Sequence, residues 1–275
     1  MGGGPADALP ADLDAVSGDG RFVAVECREP DAEGGSGPRV YVHDRVIGTT
    51  VLASHATGID GAMGNGESFG ADLGRRELRG LCLSEPTNLA PRAREDDREV
   101  LVRDLRGNTT TLVASGANDP SISADGRNVA FDGTTSGSRP FQAVLQVLVR
   151  GLRTNRTVLV SRARGPRGAA GNGDSGDSVA ISADGWRVAF DSDATNLTPD
   201  DNIGRTKVFV RHIAGQTTTL VDRASGPDGA IGDAWSEDGR LSADGRRVAF
   251  LSRATNLTPD DAHAGVFLRE LDPLG

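Results

Sequence analysis

Residues 182–190 read Ser-Ala-Asp-Gly-Trp-Arg-Val-Ala-Phe, and this phrase decides the fold. Close copies stand at residues 123–131 and 242–250, a looser copy at 17–25, and a degenerate one at 72–75. Asp-Gly between two runs of β-forming residues is a strong hairpin signal, because Gly adopts positive φ at little cost. The copies recur about every 55–60 residues, a period that indicates an architecture built from several equal units.

Each unit contains the same four predicted strands. In the fourth unit these are residues 178–182, 187–191, 208–211 and 217–221, rich in β-branched and apolar residues. No stretch has a period of 3.6 residues, so we expect almost no helix. Four antiparallel strands at this spacing predict an all-β fold, a β-propeller of about five four-stranded blades. A superhelical β-solenoid is the alternative, although its coils are much shorter.

A second phrase, Ala-Thr-Asn-Leu-Thr-Pro-Asp-Asp, follows the second strand of two units, at residues 194–201 and 254–261. A worn copy stands at residues 86–91, and the third unit has none. With the Ser-x-Asp-Gly hairpins, these phrases make the chain resemble bacterial WD40-like repeat proteins of the TolB type. The resemblance covers nearly the whole chain and is specific for fold rather than function. It implies an extracytoplasmic, periplasmic or secreted setting.

The repeat also predicts the domain boundaries. We expect an N-terminal extension at residues 1–16, a propeller domain at 17–271 and a tail at 272–275. The blades are predicted at about 17–66, 67–118, 119–174, 175–236 and 237–271. The last blade lacks a Thr-Thr-Leu-Val strand and is expected to be incomplete. Either the ring closes with a three-stranded blade, or the chain is part of a larger propeller.

Composition restricts the partners. The 275 residues carry a formal net charge of -9, which argues against nucleic acid or an anionic membrane surface as the main partner. No apolar run is long enough for membrane insertion. Residues 1–7 lack the basic and apolar regions of a signal peptide, so we expect a cytoplasmic protein or a mature or truncated piece. Cys27 and Cys82 form no CxxC motif, and whether they pair is left open.

Strand alternation predicts where a binding site would lie. The long loops between strands two and three, and between consecutive units, leave from one end of each blade, and the short turns leave from the other. Long loops on a rigid scaffold commonly bind partners. The candidate binding residues on this long-loop face are Asp174, Asp177, Asp200, Asp201, Asn202, Trp235, Asp260 and Asp261. At the ends of the third strands, His43-Asp44 and Arg103-Asp104 are expected to be exposed and to form salt pairs.

Three interpretations of this face stay open. It binds a protein, peptide or glycan near the channel mouth; its acidic residues hold a hard cation such as Ca²⁺; or these are solvated turn residues. For the first, Trp235 is the candidate aromatic contact, although packing over its own loop is an alternative. The Asp200-Asp201-Asn202 and Asp260-Asp261 spacings match no standard Ca²⁺ loop.

We predict no catalytic residue, and so no enzyme. Residues 171–176 match GxGxxG, but a dinucleotide fingerprint needs a strand before it and a helix after it, whereas a strand follows here. The same stretch contains Gly-Asp-Ser-Gly, but no His recurs in a loop beside Ser175 to complete a triad. The alternative is a carbohydrate-active enzyme. It would need two carboxylates roughly 5–10 Å apart across a concave pocket.

Overall fold

The computed structural model describes residues 9–28, 37–74, 79–84, 88–91, 98–134, 144–199, 204–226, 229–258 and 263–271. These residues form five antiparallel sheets and no helix, hence no helix that could cross a membrane. The first sheet contains β1 Leu9–Val16, β2 Phe22–Arg28, β3 Pro38–Asp44 and β4 Thr49–Leu52. The second contains β5 Ser68–Leu73, β6 Arg79–Ser84, β7 Glu99–Asp104 and β8 Thr109–Ser115.

The remaining sheets follow the same plan. The third has the order β12-β11-β10-β9, from β9 Ala117–Ile122, β10 Asn128–Thr134, β11 Leu145–Gly151 and β12 Arg156–Leu159. The fourth runs through β13 Ser175–Ile181, β14 Arg187–Ser192, β15 Lys207–His212 and β16 Thr217–Leu220. The fifth has three strands in the described part, β17 Ser236–Leu241, β18 Arg247–Ser252 and β19 Gly265–Glu270. Four-stranded antiparallel sheets repeated in this way are the blades of a β-propeller.

The Ser-x-Asp-Gly phrase forms the tight turn between the first two strands of a sheet. The Ser182 hydroxyl donates to Asp184 Oδ1 at 2.5 Å and accepts the Arg187 N–H at 3.0 Å. Gly185 has a φ of 76°, a conformation that favours Gly. The same Ser–Asp hydrogen bond recurs in the turns of the first, third and fifth sheets. The phrase is therefore explained by turn geometry.

The first strand begins earlier than predicted. β1 starts at Leu9 and pairs with β2, for example Leu13 with Val25 and Val16 with Val23, so the predicted extension at residues 1–16 contains a strand of the first sheet. The sequence hides this strand for two reasons. Its register shifts twice, which destroys the alternation of period two, and Pro10 gives no backbone donor.

The chain divides into two compact units, Met1–Val129 and Ala130–Gly275. In the second unit, the sheets pack face to face through alternating side chains. Val188 and Phe190 of β14 belong to one buried cluster, and Ala189, which points to the opposite face, belongs to the next. The first unit has its own cluster around Val40, Leu89 and Leu101. Each unit therefore has a core of its own.

Candidate functional site

The candidate site lies where two kinds of long loop meet in the second unit. The loop before β13 contacts the loop after β14, because the Asp193 N–H donates to the Asp174 carbonyl at 2.8 Å. One unit later, the Arg253 N–H donates to the Trp235 carbonyl at 2.9 Å. The long loops therefore share one end of each sheet, the arrangement that the predicted strand order requires.

An asparagine clamps each of these loop pairs. The Asn196 side chain accepts the Asn172 N–H at 3.0 Å and donates to the Ala170 carbonyl at 2.8 Å. Asn256 makes the equivalent two bonds to Asp233 and Ile231 in the fifth sheet. The leucines that follow these asparagines, Leu197 and Leu257, are buried. The repeated Asn-Leu phrase is therefore a structural device that fixes the long loops.

Two of the predicted binding residues occupy the same position in successive units. Asp174 and Trp235 each precede a buried serine that opens the first strand, Ser175 of β13 and Ser236 of β17. Glu67 precedes the buried Ser68 of β5 in the same way. We call this position, occupied by Glu67, Asp174 and Trp235, the variable slot. Its three side chains differ in chemistry and are all exposed, whereas the serine that follows is constant.

Trp235 is the largest side chain in the variable slot, and 53% of it is exposed. The Arg253 guanidinium lies 5.6 Å from the centre of its ring, within the range of a cation–π contact. The Trp235 carbonyl also accepts the Arg253 N–H. A fixed backbone and a stacked arginine therefore hold a broad apolar ring in solvent.

Asp174 and Asp177 lie beside two acids that the sequence reasoning did not select, Asp191 and Asp193. All four line a small cavity of about 20 Å³ at the start of β13. Asp174 Oδ1 accepts the Leu145 N–H at 2.8 Å, and Asp193 Oδ1 accepts the Thr206 hydroxyl at 2.6 Å. Asp174 and Asp177 are exposed, whereas Asp191 is buried. Asp193 is also exposed, so the cavity has one buried acid beside three exposed ones.

Asp191 is the buried member of this group, and it contacts the next sheet. Its Oδ2 accepts the Asp238 N–H at 3.0 Å. Asp238 has a φ of 57° at a bulge in β17. Within the described residues, Oδ1 of Asp191 has no hydrogen-bond partner. Burial raises the pKa of Asp191 to about 7, against the lowering effect of the backbone N–H groups of Asp238 and Gly239.

The sequence predicted five further binding residues, four aspartates and one asparagine. Asp200, Asp201, Asn202, Asp260 and Asp261 lie outside the described residues. Among the residues that are described, no three His, Cys, Asp or Glu side chains form a group that could hold a metal ion. The Ca²⁺ hypothesis rests on the undescribed residues and stays a prediction. A difference in melting temperature between Ca²⁺ and chelator would test it.

The glycine-rich stretch at residues 171–176 packs tightly against the loop after β14. A Cβ on Gly173 would lie 2.8 Å from backbone atoms of Asp193 and Ala194, so that loop leaves room only for hydrogen. Ser175 is buried, and its hydroxyl bonds to that of Ser192 at 2.7 Å. β13 follows the stretch, as the sequence predicts. These contacts give the glycines and Ser175 structural roles.

The sequence reasoning missed one buried ion pair on the same end of the fourth sheet. Lys207 Nζ lies 2.9 Å from Asp222 Oδ2, and both side chains are fully buried. Nζ also donates to the carbonyls of Gly232 at 2.6 Å and Ala234 at 2.8 Å. These carbonyls belong to the loop that carries Trp235. The signal available in the sequence was that Lys207 is the only lysine.

Comparison with solved structures finds TolB from Acinetobacter baumannii, with 16% identity and a TM-score of 0.54 over 91% of this chain and 50% of that one. A protein assigned as TolB from Agrobacterium tumefaciens has 15% identity and a TM-score of 0.52 over 97% of this chain and 78% of that one. The chain has a TolB-like β-propeller fold. It spans about half the length of the Acinetobacter protein.

The same fold occurs in an enzyme. An oligogalacturonate lyase from Vibrio parahaemolyticus has 11% identity and a TM-score of 0.57 over 96% of this chain and 67% of that one. At these identities the likeness shows the fold alone, because one fold carries many functions. No protein-family model matches the sequence, and no curated protein sequence matches it significantly.

Proposed function

We propose that this chain is a non-catalytic interaction scaffold that binds a protein or peptide through its long-loop face. The observation that carries the proposal is the exposed ring of Trp235, held on a backbone that hydrogen bonds fix. Tryptophan and arginine are enriched among the residues that dominate binding energy in protein interfaces. Trp235 and Arg253 supply such a pair at one place.

Rigidity of the loops supports this role. The Asn196 and Asn256 clamps and the buried Lys207–Asp222 pair hold the loop backbone before a partner arrives. A preorganised surface loses less conformational entropy on binding, so more of the contact energy becomes affinity. The TolB-like fold is consistent with such a scaffold, since long loops on one end of a rigid propeller commonly bind partners.

The charge of the face indicates the chemistry of the partner. Asp174 and Asp177 are exposed beside the first strand of the fourth sheet, and the whole chain is acidic. Complementary charge raises the association rate and selects between partners. We therefore expect a peptide with basic residues flanking an apolar or aromatic residue that contacts Trp235. A glycan that stacks on the ring is the competing ligand class.

The experiment is a selection of random displayed peptides on the purified protein, followed by affinity measurement. The binding variant is W235A, and the matched control is W186A. Trp186 is 50% exposed and lies in a short Asp-Gly turn, at the other end of the sheet. We expect selected peptides to lose about tenfold or more in affinity to W235A and to bind W186A normally. Peptides that bind W235A as well as wild type, or binding only on a glycan array, would reject the proposal.

We also propose an extracytoplasmic setting, which rests on the resemblance of the repeats to TolB-type proteins. Fractionation of the source cells, with a cytoplasmic marker protein as control, tests it directly. Recovery of the protein with the cytoplasmic marker would contradict this setting without affecting the binding proposal.

A further inference from the structure

A cleft between β12 and the turn after β15 is lined by two arginines and by no acidic residue. Its volume is about 90 Å³. The polar lining is Arg162, Arg211 and Gln216, and the apolar lining includes Val158, Leu159 and Ile213. We call these six residues the arginine cleft. All six belong to the second compact unit.

Arg211 is the buried cation of the arginine cleft. It is 4% exposed, and its Nη1 donates to the Thr218 hydroxyl at 2.9 Å and to the Ala163 carbonyl at 3.1 Å. Its hydrogen bonds to described residues all leave from Nη1, and no described carboxylate forms an ion pair with it. Burial, and then the positive charge of Arg162, lower the pKa of Arg211 to about 10. A bound anion would relieve this uncompensated burial of charge.

Arg162 brings a second guanidinium to the cleft from the loop after β12. Its Nε and Nη2 donate to the Gly168 carbonyl at 3.2 and 2.8 Å, and Nη2 also donates to the Pro166 carbonyl at 3.2 Å. These bonds hold the guanidinium against its own loop. Because a guanidinium has no acceptor atom, Arg162 cannot accept a hydrogen bond from Arg211. The two cations therefore line one cavity without satisfying each other.

The second sheet contains a neutral version of this arrangement. Arg103 Nη2 donates to Asn108 Oδ1 at 3.0 Å and lies 2.7 Å from His55 Nε2. The Thr110 hydroxyl donates to the His55 carbonyl at 2.5 Å. Two acceptors from the chain itself therefore satisfy the Nη2 group of this buried arginine.

The fourth sheet replaces both of these acceptors. The Thr218 hydroxyl donates to the Arg162 carbonyl at 2.5 Å, so Arg162 stands in the position of His55. Gln216 and Asn108, with φ of 53° and 50°, each precede the fourth strand of their sheet. Across the described ranges, neither replacement accepts a hydrogen bond from the buried arginine. The acceptor that the chain supplies in the second sheet is therefore missing in the fourth.

The surroundings favour an anion that carries an apolar group. Residues 133–173 contain seven arginines and no aspartate or glutamate, although the whole chain is acidic. Guanidinium groups bind carboxylate oxygens through short charge-assisted hydrogen bonds. Val158, which is 41% exposed, forms an apolar wall with Leu159 and Ile213. A carboxylate joined to a branched apolar group would use both the donors and this wall, whereas a phosphate ion would use the donors alone.

We propose that the arginine cleft binds a carboxylate attached to an apolar group, from a small carboxylic acid or from the C-terminal residue of a polypeptide. The carboxylate oxygens accept hydrogen bonds from the three polar side chains of the cleft, and the apolar group packs on its apolar wall. The cleft contains neither Trp235 nor Arg253, so this proposal and the proposed function fail independently.

The test measures binding of N-acetyl-L-leucine to the full 275-residue chain by calorimetry. We expect saturable binding, and no binding of N-acetyl-L-leucinamide, which has the same apolar group without the carboxylate. This comparison uses wild-type protein, so it does not depend on the folding of a variant. An acetylated Gly-Gly-Leu peptide with a free C-terminus identifies the source. Equal or tighter binding of the peptide assigns the site to a polypeptide C-terminus, and weaker binding assigns it to a small acid.

A variant taken from the repeat tests the role of the second arginine. R162H copies the histidine of the second sheet, and the matched control R164A changes an exposed arginine of the same loop. We expect R162H to bind N-acetyl-L-leucine about tenfold more weakly, because one guanidinium is lost and the neutral imidazole accepts from Arg211. R164A should bind as wild type does, and so should W235A.

Three results would overturn the proposal. They are the absence of saturable binding of N-acetyl-L-leucine, equal binding of its amide, and equal binding by wild type and R162H. Inorganic phosphate serves as the competing probe. Saturable binding of phosphate without binding of N-acetyl-L-leucine would reject a carboxylate as the ligand.

Discussion

The ammonium group of Lys207 lies 2.9 Å from the carboxylate of Asp222 in the fully buried interior of the fourth sheet. One unit earlier, the same two positions hold Gln146 and Ser161, joined by a neutral hydrogen bond of 2.8 Å. The Gln146 amide donates to the Gly171 carbonyl, as Lys207 does to the carbonyl of Gly232. The chain therefore contains a charged and an uncharged version of one loop anchor.

The buried ion pair predicts that Lys207 and Asp222 are strongly coupled in their contribution to stability. K207M leaves the Asp222 carboxylate buried without its cation, so we expect the free energy of unfolding to fall by about 3–5 kcal/mol. The double variant K207Q/D222S recreates the Gln146–Ser161 pair and should recover most of that loss. Urea denaturation of the single and double variants measures the coupling. A double variant as unstable as K207M would show that the two anchors are not equivalent.

If Asn196 clamps the two loops, removing its side chain should loosen those loops and leave the rest of the chain unchanged. N196A removes both hydrogen bonds to the preceding loop and should destabilise the chain by about 1–3 kcal/mol. Faster hydrogen exchange should be confined to the loops around residues 170–174 and 193–199. N196D keeps the acceptor for the Asn172 N–H but loses the donor to the Ala170 carbonyl, so its effect should be intermediate. Unchanged exchange in N196A would contradict the clamp.

Asp191 predicts a loss of stability as the pH rises from about 4 to about 7. Its pKa is raised from 3.8 to about 7 by burial, so the folded state holds a proton that the unfolded state releases. Stability from this group is present at low pH and is lost as the pH rises through about 7. D191N should remove this dependence, and D60N, which changes an exposed loop acid, should retain it. Urea midpoints measured from about pH 4 to about pH 8 provide the comparison.

His55 predicts the opposite dependence in a lower pH range. Burial, and then the charge of Arg103, lower its pKa below 6.5. Its Nε2 lies 2.7 Å from Arg103 Nη2, an arrangement that needs a neutral ring as acceptor. The unfolded chain therefore takes up a proton first, and stability falls as the pH drops below 6.5. H55N should reduce this fall in the free energy of unfolding, whereas the control H43Q should not. If the fall persists in H55N, another titrating group causes it.

Strands and turns were predictable because their signals are local. Ser182 and Asp184 bond within their own turn, so a nine-residue phrase contains the whole cause. Asp44 was predicted to be exposed and salt-paired; it pairs with Arg21 at 2.7 Å, but it is buried, so the expected exposure is wrong. Arg103 was predicted to be exposed but is 1% exposed. It is buried because His55, from the preceding unit's loop, packs over it, and such a contact has no trace in the local sequence.

The candidate site was predictable only in part, for the same reason. The long loops around Asp174 and Trp235 could be assigned to one end of the sheets from strand order alone. The structure shows that Asp174 and Trp235 both occupy the variable slot, because their carbonyls accept equivalent hydrogen bonds from the N–H groups of Asp193 and Arg253. The sequence alone did not reveal this correspondence. The Lys207–Asp222 anchor joins residues on different strands and loops, which no spacing rule connects.

The variable slot separates surface chemistry from folding. Glu67, Asp174 and Trp235 show that acidic and aromatic side chains stand at one backbone position without altering the serine beside it. The side chain at this position is exposed, whereas the serine is buried, so the two positions meet different physical demands. Exchanging slot residues between the three units is therefore a way to change the chemistry of the long-loop face while the start of each sheet is kept.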